Sequence, residues 1–271
     1  MAFENKSQPK RIEGTRMIRD EEIKSKARVN GVPASTIERD YTQGWFLKNF
    51  ATEDTLLKGG TGIKKVYFED YRFSDDLDFT LVKSVNEDDL RALTNKAIEK
   101  TTMDSGVDFE ENFKIEKTQN GYKIEVYFRI LRTSGNPLKI KIDITDPYKE
   151  KVVLPTGSRK IIHSYSDKID ETVKCYPLEE IIAEKIRSLF ERTRPRDLYD
   201  IWKLYEDVDN ETIEDVLEKK CKFKGVERDL EELQGRKEDY LNSWKNSLKH
   251  QIEEVPEFED VFDYVLNEVL I

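Results

Sequence analysis

The chemistry in this sequence is concentrated between Lys58 and Leu81, which reads KGGTGIKKVYFEDYRFSDDLDFTL. Gly59, Gly60 and Gly62 surround Thr61, and glycines at a turn into a helical segment over residues 61–68 let backbone N–H groups come close to an anion. From Arg72 the pattern becomes that of a strand, on which Ser74, Asp76, Asp78 and Thr80 share one face. Asp76 and Asp78 then point the same way. Two such carboxylates repel unless a proton or cation sits between them, and oxygen donors of this kind suit magnesium. Each half has an ordinary reading, as a loop turn and as a solvated strand face, but their order and closeness describe a metal-bound phosphate site. A P-loop is a poor match, because Lys58 precedes the glycines, whereas that motif ends in Gly-Lys-Ser/Thr.

Composition removes several other chemistries. The chain has 271 residues, enough for one large domain or two closely packed lobes. Only two histidines, His163 and His250, are present, which leaves little room for a Ser-His-Asp or Cys-His enzyme. Cys175 and Cys221 are too few for a disulfide framework and too far apart for a zinc site, and read as structural thiols. Charged residues make up 38% of the chain and no apolar run approaches the ~20 residues that span a bilayer. The polar N-terminus lacks the apolar core of a secretory signal, so a soluble, cytoplasmic protein without a membrane partner is expected. A net charge of −10 argues against a surface that grips nucleic acid everywhere, though a local basic patch is compatible with it. Lys139, Lys141, Lys149, Lys151, Arg159 and Lys160 cluster in sequence and read mainly as solvated surface.

Elements must then position the carboxylates. Residues 1–14 carry no clear period and read as loosely attached; helices are expected over 17–29 and 35–50, the second with Ile37, Tyr41, Trp45 and Leu47 facing a sheet. A helix over 86–103 is followed by strands over 108–118, 121–132 and 137–146, with Asn120-Gly121 as a hairpin turn. In the last strand Ile140, Ile142 and Ile144 face the core, which puts Lys139, Lys141, Asp143 and Thr145 on the other face. Residues 147–176 read as irregular chain and short strands. The helix from Pro177 places Lys185 on an apolar stripe with Leu178, Ile182 and Leu189, so its ammonium must snorkel out or meet an anion. Pro195 starts another helix with Asp197 near its positive end, and helices over 211–222, 228–250 and 256–271 follow.

The block Lys58-Gly59-Gly60-Thr61 with Arg72-Phe73-Ser74-Asp75-Asp76-Leu77-Asp78 resembles the AbiEii/AbiGii toxin family of nucleotidyltransferases. Tyr176-Pro177-Leu178-Glu179-Glu180-Ile181-Ile182-Ala183-Glu184-Lys185 and Arg196-Asp197-Leu198-Tyr199-Asp200 resemble that family's second signature, so the likeness covers roughly residues 35–205. It implies an α/β (α+β) fold with a nucleotidyltransferase-like mixed sheet flanked by helices and a helical C-terminal lobe. The expected division is an N-terminal helical segment 1–50, a nucleotidyltransferase core 51–170 and a helical lobe 171–271. The implied reaction is Mg2+-dependent transfer of a nucleoside monophosphate from an NTP to an acceptor such as transfer-RNA-like RNA. The implied setting is a toxin-antitoxin or phage-defence (abortive infection) pair with a cognate antitoxin. By the same resemblance Asp76, Asp78 and Asp143 hold metal, with Asp143 also placed to deprotonate the acceptor; Gly59, Gly60, Thr61 and Lys65 hold phosphates; Lys185 steadies the triphosphate; and Asp197 is catalytic or supporting, with Asp200 in reserve. Asp40 matches an acidic family position and is expected as a surface residue. Two other readings remain open here: a protein or small-molecule acceptor, and a non-catalytic interaction module of the same fold.

Overall fold

The computed structural model describes residues 18–270, so the segment 1–14 lies outside the described residues. Two helices come first, α1 (Asp20–Val29) and α2 (Ala34–Phe50). The apolar side of α2 is buried as expected, but so are Glu38, Asp40 and Gln43. Asp40, expected at the surface, is 5% exposed because the Lys65 ammonium lies 2.8 Å from its carboxylate and Tyr165 donates to it at 2.8 Å.

The central stretch runs β1 (Thr55–Lys58), a single helical turn α3 (Gly59–Gly62), a π turn (Ile63–Tyr67) and β2 (Asp76–Leu81). The helical segment expected over 61–68 therefore begins on the glycines themselves, and the strand expected from Arg72 begins at Asp76. Arg72 is the reason for the second difference. Its Nε and Nη2 bond both oxygens of Asp200 at 2.5 Å each, drawing residues 72–75 out of the sheet and into the helical lobe.

Next come α4 (Glu87–Ser105), β3 (Asp108–Phe109), β4 (Lys114–Thr118), β5 (Gly121–Arg129), β6 (Leu138–Thr145), β7 (Gly157–Lys160) and β8 (Thr172–Cys175). Asn86 caps α4 by accepting from the Asp89 N–H at 2.8 Å. The strands form one mixed sheet in the order β3-β5-β6-β2-β1-β8-β7, with β4 paired to β5. β2 pairs parallel with β6 and antiparallel with β1. Gly121 is dictated at the β4–β5 hairpin: its φ is +147° and a Cβ there would overlap the carbonyl oxygen of Ile144. Leu77 and Phe79 of β2, Ile124, Val126 and Phe128 of β5, and Ile140, Ile142 and Ile144 of β6 bury one face of the sheet against the core to which α2 contributes Phe46 and Phe50. The opposite face keeps the charges.

The helical lobe comprises α5 (Leu178–Glu191), α6 (Pro195–Leu204), α7 (Asn210–Lys224), α8 (Leu230–Gly235), α9 (Lys237–Leu248), α10 (Phe258–Tyr264) and a π turn (Val265–Val269). The helix expected over 228–250 is broken at Arg236, whose Nη2 reaches over to the Leu189 carbonyl at 2.6 Å. A second apolar core fills this lobe, and it recruits Leu56, Ile63 and Tyr71 from the central stretch.

A buried charge seam fastens the loop after β6 to the lobe. Lys220, fully buried, pairs with Glu180 at 2.8 Å, Glu184 at 2.9 Å and Glu150 at 3.4 Å, while Arg187 clasps Glu150 with two bonds of 2.9 Å. Removing one member of such a network leaves the others desolvated and uncompensated. Lys220→Met is expected to cost about 3–5 kcal/mol in a urea titration; a loss under about 1 kcal/mol would mean that solvent reaches these carboxylates.

Candidate functional site

Strand register decides which acids meet. Because β2 and β6 run parallel with Asp78 opposite Asp143 and Asp76 opposite Lys141, the alternation of each strand delivers Asp76, Asp78 and Asp143 to the charged face of the sheet. All three line one cavity of about 360 Å³, closed on the other side by α5 and the start of α6. Gly59 sits against this group with φ +67°, and a Cβ there would overlap the Asp78 carboxylate. The glycine turn and the acid therefore interlock: β1 hands the chain into α3 within reach of the carboxylate only because position 59 has no side chain. Thr61 helps hold the strand itself, donating its hydroxyl to the Asp76 carbonyl.

Gathering like charges leaves a mark on each acid. Burial first, then the charges of Asp76 and Asp143, push Asp78 up to about 6, against the opposing pull of Lys58 and Lys185. Asp143 is raised in the same way, by burial and then by Asp76, with Lys123, Arg194 and Lys141 working against the shift. Asp76 keeps Lys141 at 3.7 Å and Arg196 at 4.0 Å, yet its buried Oδ1 has no hydrogen-bond partner among the described residues. Three oxygen donors, two of them with raised pKa and one with an orphaned oxygen, suit a hard divalent cation. Among the described residues no group of three or more acidic, His or Cys side chains has already closed to metal-binding distance. The donor chemistry of the three acids fits a cation, although the carboxylates are not gathered around one.

Around the acids stands a layer of cations, most of them already engaged. Lys185 lines the cavity but is only 7% exposed, with Asp197 at 2.8 Å and Asp200 at 2.7 Å. Burial disfavours its charge, and the two aspartates more than offset this, so its pKa lies above the usual lysine value. Asp197 lines the cavity and is held well below the usual carboxylate range, burial being outweighed by Lys185. Asp200 is fully buried away from the cavity lining and anchors Arg72. Lys58 pairs with Glu184 at 3.3 Å. Asp75, beside the cavity, accepts from Arg39 at 2.7 Å, Gln251 at 2.7 Å and Arg196 at 3.2 Å, with His250 Nε2 at 2.8 Å.

The cavity thus unites Gly59, Gly60, Asp76, Asp78, Asp143, Lys185 and Asp197. Lys65 stands apart, 2% exposed and bonded to the carboxylate and carbonyl of Asp40, which leaves it no reach to a phosphate in the cavity. Thr61 has spent its hydroxyl on the Asp76 carbonyl and is also outside the lining. Missed by sequence reasoning were Lys58, Arg72, Glu184, Arg192, Arg194 and Arg196 as lining residues. For the last three a signal existed: arginines at alternate positions across Pro195.

Comparison with known families decides the assignment. The sequence matches the profile described as nucleotidyl transferase AbiEii toxin, type IV toxin-antitoxin system, over residues 44–267. The chain belongs to this AbiEii family. It is therefore a nucleotidyltransferase of a toxin-antitoxin family, and the match runs through the C-terminal helices as well as the sheet. Among solved structures it is similar in fold to MenT4, a nucleotidyltransferase toxin from Mycobacterium tuberculosis H37Rv, at 19% identity and TM-score 0.52, covering 72% of this chain and 67% of that one. A protein from H. pylori with a provisional nucleotidyltransferase assignment aligns at 16% identity and TM-score 0.53, covering 85% of this chain and 91% of that one. No curated protein sequence matches. Among the described residues no helix is long and apolar enough to cross a membrane.

The acid cluster of this AbiEii-family chain has a measurable signature. Between the ordinary value of 3.8 and about 6, folded Asp78 keeps a proton that the unfolded chain has lost, so its contribution to stability falls as pH rises through that window. In chelator-treated protein, Asp78→Asn is expected to raise the melting temperature at mildly alkaline pH and to change it little at the acid end of the window. A mutant no more stable than wild type at alkaline pH would show that the three acids do not repel one another.

Proposed function

We propose that this AbiEii-family chain is a magnesium-dependent enzyme that moves a nucleoside monophosphate from an NTP to a hydroxyl of an RNA acceptor, releasing pyrophosphate. In the cell it would act in the cytoplasm as a toxin in phage defence. The observation that carries the reading is the delivery of Asp76, Asp78 and Asp143 from two adjacent parallel strands into one cation-lined cavity.

Asp76, Asp78 and Asp143 would hold the metal, which supplies Lewis-acid stabilisation of the charge that builds on the transferring phosphoryl group. The residues divide the remaining work. Gly59 and Gly60 bring bare backbone to the cavity lining, with the Asp78 carboxylate and the Arg72 guanidinium packed where side chains would stand, and that backbone would face the phosphates. Asp143, with a pKa raised by burial and by Asp76, is suited to accept the proton of the acceptor hydroxyl. Lys185 would meet the triphosphate through the part of its ammonium that faces the cavity, while Asp197 and Asp200 fix its position. Ser188 donates to Asp197 at 2.7 Å and completes that support. Family membership brings an NTP substrate and a cognate antitoxin; the RNA acceptor and magnesium are the parts advanced here.

The test is to incubate purified protein with each labelled NTP, magnesium and total RNA, alongside Asp76→Asn and a chelator control. Label is expected on RNA with wild type only. Because Asp76 makes no hydrogen bond through Oδ1, the mutant should keep its fold, with a melting temperature at or above that of metal-free wild type. Absence of label on RNA, protein and small molecules alike, with every NTP, would remove the transferase reading; label on protein alone would overturn the acceptor.

A further inference from the structure

The cations of the cavity fall into two sets. Lys58, Arg72, Lys185, Arg187 and Arg196 each hold an ion pair at 3.3 Å or closer, and Lys224 a looser one with Glu150 at 4.0 Å, so all six are partly committed to the fold. Arg192 and Arg194 also line the cavity, but their guanidinium groups form no ion pair or side-chain hydrogen bond with the described residues. Both belong to the linker between α5 and α6 and both have extended backbone, with φ −165° and ψ 159° at Arg192 and φ −134° and ψ 98° at Arg194. In extended chain, residues two apart project to the same side. The linker beneath them is fixed: the Tyr240 hydroxyl donates to the Arg192 carbonyl at 3.1 Å, and the Asp197 N–H donates to the Arg194 carbonyl at 3.0 Å. Two uncommitted guanidinium groups on a rigid base, facing a cavity, are suited to phosphate oxygens, which match the planar donor fork.

Position separates acceptor from nucleotide. Asp78 lies opposite Lys58 of β1, next to the glycine turn, whereas Asp143 lies opposite Lys123 of β5, the strand that leads out of the β4–β5 hairpin. Of the two free arginines, Arg194 acts on Asp143 and Arg192 on Asp197. Across the cavity the wall is the β4–β5 hairpin, with Thr118, Asn120 and half-buried Tyr122, a hydrogen-bonding and aromatic surface. Resting on the transferase reading above, we infer that Arg192 and Arg194 clamp the phosphodiester backbone of the acceptor, which enters between the α5–α6 linker and the β4–β5 hairpin with its terminal hydroxyl at Asp143. With a net charge of −10 the chain has no general attraction for RNA, so a local clamp must supply the phosphate contacts.

The experiment uses the full chain and a fluorescent single-stranded RNA oligonucleotide with a free 3′-hydroxyl, its affinity followed over a salt series. Calorimetry with a nonhydrolysable NTP runs in parallel. For Arg192→Ala/Arg194→Ala, RNA affinity should fall about tenfold or more, and the slope of log K against log salt should shrink by about 1.4, or ~0.7 for each lost contact. NTP affinity should stay within about twofold, and the melting temperature should hold because neither guanidinium is engaged in the fold. Arg192→Lys/Arg194→Lys, which keeps the charge, should recover most of the salt slope but only part of the affinity. A loss of NTP affinity with RNA binding intact would assign the pair to the triphosphate and overturn the inference. Unchanged RNA affinity and slope would overturn it as well, as would wild type that binds NTP but no RNA. Wild type that binds no NTP would instead count against the transferase reading itself.

Discussion

Repulsion among three carboxylates is the constraint to which the rest of the molecule answers. Asp76, Asp78 and Asp143 are brought together by strand register, and the sheet core of leucine, isoleucine and phenylalanine beneath them sets that register. The surroundings limit the strain without removing it. Lys58 and Lys185 oppose the shift at Asp78, while Lys141 and Arg196 approach Asp76 without bonding it closely. Each of these cations except Lys141 is in turn held by a carboxylate farther out, Glu184, Asp197, Asp200 or Asp75. The site is thus layered by sign, with acids at the centre, bases around them and acids again behind. Asp75 shows why the outer layer matters: bonds to α2, to α6 and to His250 and Gln251 converge on the residue next to Asp76.

Much of this was legible in the sequence because period-two alternation is a strong local signal. It fixed the shared face of Asp76 and Asp78 and the face of Asp143 on its own strand, and the hairpin at Asn120-Gly121 followed from turn chemistry. That β2 and β6 lie side by side with Asp78 opposite Asp143 is a long-range fact that no local pattern carries; the family likeness implied only that Asp143 joins the pair. The mixed sheet with flanking helices and a helical lobe follows the same division, elements from pattern and arrangement from resemblance.

Where reading failed, burial of charge was the cause. Lys65 looked free beside the glycines, but the π turn carries it to the α2 side, where it neutralises Asp40, an aspartate expected at the surface. Arg72 looked like the start of a strand and is instead the bolt into the helical lobe. A sequence lists arginines without saying which are already paired, so Arg192 and Arg194 could not be told from Arg187 or Arg196 before their partners, or lack of them, were known.

The way the two apolar cores divide the chain bears on how substrates come and go. Leu56, Ile63 and Tyr71 are covalently part of the sheet side, flanking the glycine turn, yet they are packed in the core of the helical lobe. Swinging the lobe away from the sheet would expose them and unseat Arg72 from Asp200 at the same time. The cleft is therefore better described as a fixed mouth than as a pair of jaws: traffic through it is set by the width of the opening and by side-chain motion at the rim, and turnover need not wait for the two halves to part.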